Sequence, residues 1–126
     1  MISMLNRSLS LGYEAAVERA LWYGSANGDA KQIKKLLKIY EADMTYINHG
    51  MTAIHVASAR GYTKTVEVFL DYGKNVDLEF QAKYGQTALH LACTANHFLT
   101  IQLLVRSGAN INAQDINGDT PLHILV

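Results

Sequence analysis

The chain has 126 residues and balances eleven lysines and arginines against eleven aspartates and glutamates, so its formal net charge at pH 7 is zero. This balance gives no reason to expect nucleic acid or an anionic membrane as a partner, and 49% hydrophobic residues suffice for one buried core. No apolar run approaches the ~20 residues that span a bilayer, and the start of the chain lacks the apolar segment of a secretory signal. Cys93 is the single cysteine, so it has no second cysteine with which to form an internal disulfide. We therefore expect a cytoplasmic protein of one domain, without membrane insertion.

Residues 14–47 are predicted to form two helices, after an N-terminal tail or short cap in residues 1–13. The first helix is rich in alanine and ends at Gly28, where glycine supplies a left-handed C-cap. Asp29 is placed to cap the second helix, whose apolar residues recur at helical spacing from Ile33 onward.

Four lysines lie largely on the other faces of that second helix: Lys31, Lys34, Lys35 and Lys38. They are interpreted as a solvated helix face, because acidic residues lie close to them in the sequence, and a basic patch for anions is the alternative. The nearby acidic residues are Glu14, Glu18, Asp29, Glu41 and Asp43.

The helix pair recurs along the chain with a period near 33 residues. Three pairs of like residues are separated by 33 positions: Thr87 and Thr120, Leu89 and Leu122, His90 and His123. The earlier copy of the pattern begins at Thr52, 35 positions ahead of the middle one, so two residues are inserted between Gly73 and Gly85. A fixed period of this length is the signature of a repeat protein in which each unit packs on its neighbours. We expect the inserted segment to project as a hairpin-like loop that carries Leu78 and Phe80.

The recurring run resembles the Thr-Pro-Leu-His motif of ankyrin repeats. The runs are Thr52-Ala53-Ile54-His55, Thr87-Ala88-Leu89-His90 and Thr120-Pro121-Leu122-His123, and the first unit has Arg19-Ala20-Leu21-Trp22 in that place. The resemblance implies an all-α ankyrin-repeat solenoid of helix-turn-helix units with projecting β-hairpin loops. The implied units are an N-terminal capping repeat at 14–47, a repeat with a two-residue loop insertion at 48–82, a repeat at 83–115 and a partial repeat at 116–126.

The partial unit extends about one helical turn beyond the start of its motif. Either these last residues fold back as a minimal cap, or the chain is a fragment of a longer protein. The apolar run Ile124-Leu125-Val126 favours the fragment, because terminal repeats carry a polar outer face.

The sequence contains no phosphate-binding loop, no HExxH zinc motif, no GxSxG nucleophile motif and no CxxC pair. Cys93 is interpreted as a small buried hydrophobe. The resemblance implies a structural role for the motif residues, in which each imidazole bonds the nearby threonine and the backbone: Thr52, His55, Thr87, His90, Thr120 and His123. Repeats about 10 Å apart are too distant for shared metal ligation at ~2.1 Å. We therefore predict no enzymatic activity, no metal and no cofactor.

Positions on the loops and first helices are the candidate contacts for a partner protein, because the resemblance implies that they line a concave face. They are Arg60, Tyr84, Met51, Lys83, His49, Gln86, Asn117 and Asp119. Arg60 and Tyr84 are residue types that dominate interface energetics, and Met51 adapts to apolar surfaces. His49 is the histidine that we expect to be free for a partner, whereas His97 is assigned a structural role at a helix start.

The leading hypothesis is a non-enzymatic protein-protein recognition module, monomeric or part of a longer chain, whose preorganised concave face loses little entropy on binding. The alternative is a targeting or scaffolding segment of a longer multidomain protein (an enzyme, a channel or a secreted effector) truncated at residue 126. A third hypothesis is a self-associating unit that uses the apolar C-terminal end. The sequence does not identify the partner.

Overall fold

The computed structural model describes the backbone of residues 10–125 and the side chains of residues 16–125. The α-helices in this part of the chain are α1 (Ser10–Asn27), α2 (Ala30–Ile39), α3 (Ala53–Arg60), α4 (Thr63–Tyr72), α5 (Ala88–Thr94), α6 (Phe98–Arg106) and α7 (Pro121–Leu125). A short 3-10 helix, Lys83–Gly85, lies between α4 and α5.

Threonine and aspartate side chains start three of these helices. Thr52 and Thr87 accept hydrogen bonds from the backbone N–H groups of His55 and His90. Asp29 accepts a bond of 3.2 Å from the corresponding N–H at the start of α2. Each bond satisfies one of the first-turn N–H groups that have no partner inside the helix.

The helices pack in two rows. α1, α3, α5 and α7 contact one another in succession and form the inner row, while α2, α4 and α6 form the outer row. Residues of both rows build the core, and those that are at most 2% exposed include Ile33, Val66, Phe69, Leu89 and Leu104. Helix pairs stacked in this way confirm the all-α repeat solenoid that the resemblance to ankyrin repeats implies.

The first helix is longer than expected. We expected a tail or short cap through residue 13, whereas α1 begins at Ser10. A nucleated helix gains a backbone hydrogen bond with each residue that it adds, which offsets the low helix propensity of Gly12. The expectation for residues 1–9 lies outside the described residues, as does Val126.

Three loops between the outer and inner rows turn back on themselves, and we call them fingers: the first finger is 48–51, the second is 82–86 and the third is 115–119. In the first finger, the N–H groups of Asn48 and Met51 donate to each other's carbonyls at 2.9 and 3.1 Å. In the second and third fingers, the N–H of the first residue donates to the carbonyl of the last at 2.9 and 3.0 Å. The hairpins that we expected are thus tight turns. Within residues 10–125, the β structure is one isolated bridge, Asn48 to Met51.

The inserted loop folds back onto the protein. Leu78 is half-buried and packs against the core. The ring of Phe80 meets the ring of His55 edge-on, with centroids 6.1 Å apart. An Asx turn, in which the Asp77 carboxylate accepts from the N–H of Glu79 at 2.9 Å, reverses the chain here. The expectation of a projecting loop was therefore wrong for Leu78 and Phe80, because removing their apolar surface from water is favourable.

Candidate functional site

A buried histidine of α3 connects its own helix to the second finger. Nε2 of His55 lies 3.0 Å from the carbonyl oxygen of Phe80 and 3.1 Å from that of Gln86. Carbonyl oxygens only accept, so Nε2 carries the proton and Nδ1 faces the hydroxyl of Thr52. Burial lowers the pKa of His55 to about 4, and the two carbonyl bonds oppose this effect only in part. The imidazole is therefore neutral near pH 7.

The same arrangement recurs one unit later. Nε2 of His90 donates to the carbonyl of Asp119 at 2.8 Å, and Nδ1 accepts from the N–H of Thr87 at 3.1 Å. His123 keeps the hydrogen bond with its own threonine, because the N–H of Thr120 donates to its Nδ1 at 3.2 Å. His123 is exposed, whereas His90 is fully buried. The buried copies of the motif thus hold the second and third fingers in place.

Trp22 takes the place of the motif histidine in the first unit. Its Nε1–H donates to the carbonyl of Met51 at 2.9 Å. Met51, Gln86 and Asp119 are the last residues of the three fingers, so each finger is held by a ring N–H from the preceding unit. Sequence reasoning missed this bond, because the run ending in Trp22 was interpreted as the departure of a capping unit. The sequence feature that could have predicted the bond is that Trp22, like histidine, has a ring N–H and stands at the histidine position of the motif.

The fingers are also joined directly to one another. The N–H of Lys83 donates to the carbonyl of Gly50 at 2.9 Å, and the N–H of Ile116 donates to the carbonyl of Tyr84 at 2.9 Å. The side chain of Lys83 lies across Gly50, where an added Cβ would come within 2.7 Å of its Cδ. Glycine at position 50 therefore permits the close approach of the first two fingers.

A groove with a volume of about 240 Å³ opens between the first and second fingers and α5. Its lining residues are His49, Met51, Ala82, Lys83, Tyr84, Gln86 and Leu91. It contains both apolar and polar side chains, and none of these lining residues is acidic. Such a groove suits an apolar or aromatic side chain of a partner with a hydrogen-bond acceptor or carboxylate nearby.

Aromatic rings and one ammonium group define the two sides of the groove. Tyr84 is 61% exposed, and Nζ of Lys83 lies 5.0 Å from the centroid of its ring, within cation-π range. On the first finger, the exposed ring of His49 lies 5.4 Å from the ring of Trp22. Tyr84 has a positive φ of 62°, so the backbone holds it in the left-handed conformation at the finger tip.

The structure brings together some of the predicted contact residues and separates others. His49, Met51, Lys83, Tyr84 and Gln86 all line the groove.

The remaining three predicted contacts lie elsewhere. Arg60 donates from a guanidinium nitrogen to the carbonyl of Ala26 at 2.8 Å and so connects α3 to α1. Asn117 is exposed on the third finger, and Asp119 is half-buried beside it.

Tyr23 is a further exposed residue on this side of the protein that sequence reasoning missed. Its ring packs edge-on against Trp22 with centroids 5.1 Å apart, and its hydroxyl accepts from the side-chain amide of Asn48 at 3.4 Å. It is 49% exposed. Two adjacent aromatic residues on an otherwise alanine-rich helix were the available signal.

The chemistry of the remaining candidates is limited. Cys93 is buried, and burial raises the pKa of its thiol, so the reactive thiolate is disfavoured. In the part of the chain that the structure describes, no three His, Cys, Asp or Glu side chains are grouped to hold a metal ion. None of the helices described combines the length and the hydropathy that a membrane span requires.

Comparison with known proteins agrees with this architecture. A family model described as ankyrin repeats, in three copies, matches residues 21–115 and, in a second match, residues 77–126. No curated protein matches the chain. Ankyrin repeats are generally protein-protein interaction modules and are typically not enzymes. Because the two matches together extend over most of the sequence, the chain belongs to the ankyrin repeat family.

Proposed function

We propose that this protein is a recognition module that binds a partner protein in the groove between its first and second fingers. The observation that supports the proposal is the convergence of five contact candidates from two fingers, His49, Met51, Lys83, Tyr84 and Gln86, on one groove. These candidates were selected from the sequence, at positions that the resemblance to ankyrin repeats places on the concave face. Their convergence means that one partner segment is able to touch all of them at once.

The mechanism is preorganisation of the groove. Each finger is attached to the preceding unit by a buried or half-buried ring N–H, and neighbouring fingers share a backbone hydrogen bond. Little conformational freedom therefore remains to be lost when a partner binds. The exposed ring of Tyr84 then serves as the apolar anchor, and Lys83 selects for an acceptor or a carboxylate beside it.

Site-specific photocrosslinking tests this proposal. A photoreactive phenylalanine analogue replaces Tyr84 in one sample and Gln102, an exposed residue on the outer helix α6, in the control. In extract of cells that express the protein, we expect discrete protein adducts from position 84 and none of the same mass from position 102.

A pair of substitutions provides the second part of the test. Lys83→Ala with Met51→Ala removes groove contacts without touching position 84 and should reduce the yield of those adducts at least about five-fold, since hot-spot truncations cost over 1 kcal/mol each. Adducts of equal yield at positions 84 and 102, or adducts unaffected by the double substitution, would show that the groove is not the binding site.

A further inference from the structure

The four lysines of α2 form one continuous ridge on the outer row. At about 100° per residue, Lys31, Lys34, Lys35 and Lys38 all fall within an arc of roughly 100° of the helix circumference. They extend over about 10 Å of the helix axis, at 1.5 Å per residue. The opposite side of α2 carries the buried residues Ile33 and Leu37. We call these four side chains the lysine ridge.

Among the acidic residues that are close in sequence, those whose side chains the structure describes form no salt bridge with the lysine ridge. The Asp29 carboxylate caps α2, and Glu41 pairs with Lys74 at 2.9 Å. The Glu18 carboxylate accepts from the N–H of Asp43 at 2.6 Å.

The Asp43 carboxylate accepts from the N–H of Thr45 at 2.8 Å. Within residues 16–125, the salt bridges are Lys64 with Glu67 and Lys74 with Glu41. The acids whose side chains are described thus form no salt bridge with the ridge lysines, and the interpretation of these lysines as a solvated helix face stays a prediction.

The ridge is self-repelling. Neighbouring lysines are spaced three or four residues apart, so each like-charged pair disfavours the helix. Nζ of Lys34 and Nζ of Lys38 both lie over the ring of Tyr72, at 5.1 and 5.6 Å from its centroid. One aromatic ring offers each ammonium a modest attraction and leaves both positive charges in place. An anionic occupant would relieve repulsion that no contact within this part of the protein relieves.

The charges beside the ridge restrict the shape of that occupant. The neighbouring outer helix α4 exposes Glu67, Asp71 and one lysine, Lys64, which pairs with Glu67, so the acidic charges on α4 outnumber the basic one. The helix α6 exposes Gln102 and Arg106. The surface that is strongly basic is therefore one helix wide. A flat membrane or a nucleic-acid duplex would bring its own negative charge against the acidic residues of α4, whereas a narrow extended segment would avoid them.

We propose that the lysine ridge binds an acidic stretch of a partner polypeptide laid along α2. An extended chain advances about 3.3 Å per residue, so a run of three or four residues matches the roughly 10 Å length of the ridge. Because side chains alternate faces along an extended chain, two carboxylates at alternate residues, about 6.6 Å apart, would face the ridge together, with two compact ammonium charges near each. This site is separate from the groove, none of whose lining residues belongs to α2, α4 or α6.

The test uses a fluorescent peptide of alternating Glu and Gly as the probe, with a peptide of alternating Gln and Gly as the uncharged reference. Binding is measured by fluorescence anisotropy at low salt, where exposed charges are least screened. The ridge variant is Lys31→Gln with Lys35→Gln. The matched control is Arg19→Gln with Arg106→Gln, which removes the same charge from exposed residues outside the ridge and outside both salt bridges. Glutamine, lysine and arginine have similar helix propensities, so both variants should remain folded, which circular dichroism verifies.

We expect the acidic peptide to bind the wild-type protein, the ridge variant to bind it roughly five-fold more weakly, and the control to bind within about two-fold of wild type. The amide signals that shift in the NMR spectrum should belong to α2 and to Tyr72. Equal loss of affinity in both variants would overturn the proposal, because it would indicate a response to net charge alone.

The competing occupant is tested in parallel with vesicles of phosphatidylserine and phosphatidylcholine. Vesicle binding that depends on Lys31 and Lys35, in the absence of peptide binding, would overturn the proposal in favour of a membrane surface. Because groove crosslinking at Tyr84 does not involve α2, failure of the ridge leaves the groove proposal standing, and failure of the groove leaves the ridge standing.

Discussion

Two histidines at the same position of successive motifs should differ several-fold in their contribution to stability. His90 is fully buried and bonds to Thr87 and to the carbonyl of Asp119, whereas His123 is exposed and keeps only the local bonds with Thr120. We therefore predict that His90→Ala is strongly destabilising and that His123→Ala is close to neutral.

The magnitude follows from the groups that lose their partners. Without the imidazole of His90, the buried N–H of Thr87 loses its acceptor at 3.1 Å, and the carbonyl of Asp119 loses the donor at 2.8 Å while keeping the bond from the N–H of Asp115. An unsatisfied buried polar group costs roughly 1–3 kcal/mol, and the cavity adds a further term, so we expect a loss of about 3–4 kcal/mol. At His123 water replaces the ring, and the loss should stay below about 1 kcal/mol.

Equilibrium unfolding in urea, followed by far-UV circular dichroism on the full chain, measures both variants. Trp22 is the only tryptophan, so its fluorescence reports separately on the first unit. Because repeat proteins do not always unfold in one step, coincidence of the two signals is checked before free energies are compared. Equal losses for His90→Ala and His123→Ala would refute the argument that the bond to the next finger stabilises the fold.

Three further predictions concern single positions. The pKa of His55 is about 4 in the folded protein and near 6.5 in the unfolded chain, so the unfolded chain takes up the proton first and the free energy of unfolding falls by roughly 3 kcal/mol as pH falls from 6.5 to 4. A pH series of unfolding curves should show a smaller loss for His55→Gln. Parallel curves for the two proteins would contradict this prediction. Gly61 has a φ of 74°, and an added Cβ would lie 2.4 Å from the ring of His97. Gly61→Ala should therefore lower the free energy of unfolding, measured by thermal unfolding, by over about 2 kcal/mol. Gly108 has open space around it, so Gly108→Ala should lower it by about 1 kcal/mol. Arg60→Ala should lower the free energy of unfolding by about 1 kcal/mol through the lost hydrogen bond to α1, and it should leave the yield of groove crosslinks unchanged. A reduced yield of crosslinks would show that Arg60 contributes to partner binding.

The repeat architecture was predictable because its signals are local and recur. Thr87 three residues before His90 caps a helix by a rule that needs no knowledge of distant contacts, and the same spacing at Thr52 and His55 gives the same outcome. Period and cap together fix the order of helices and the location of the turns. The partners of the histidine Nε2 atoms are 25 to 31 residues away, and the carbonyls of Phe80, Gln86 and Asp119 carry no residue-type signal.

The errors share one physical origin, which is that sequence proximity does not determine pairing. Glu41 is near the lysines of α2 in sequence, yet its carboxylate pairs with Lys74 on the next loop. Phe80 was assigned to a projecting loop, yet its ring reaches His55. In each case a contact across 25 or 33 residues of sequence outweighs the neighbours along the chain. Only the stacking of units decides which side chains remain free.

The groove and the buried histidine network depend on each other. Gln86 lines the groove, and its backbone carbonyl accepts a hydrogen bond from His55. Met51 also lines the groove, and its backbone carbonyl accepts a hydrogen bond from Trp22. The residues that shape the groove are thus also the residues by which each unit holds the next finger. The side chains of Tyr84 and Lys83 take part in neither ring bond, so this network does not constrain them. His55 and Trp22 are constrained by the fold, because their ring N–H groups hold the fingers that border the groove.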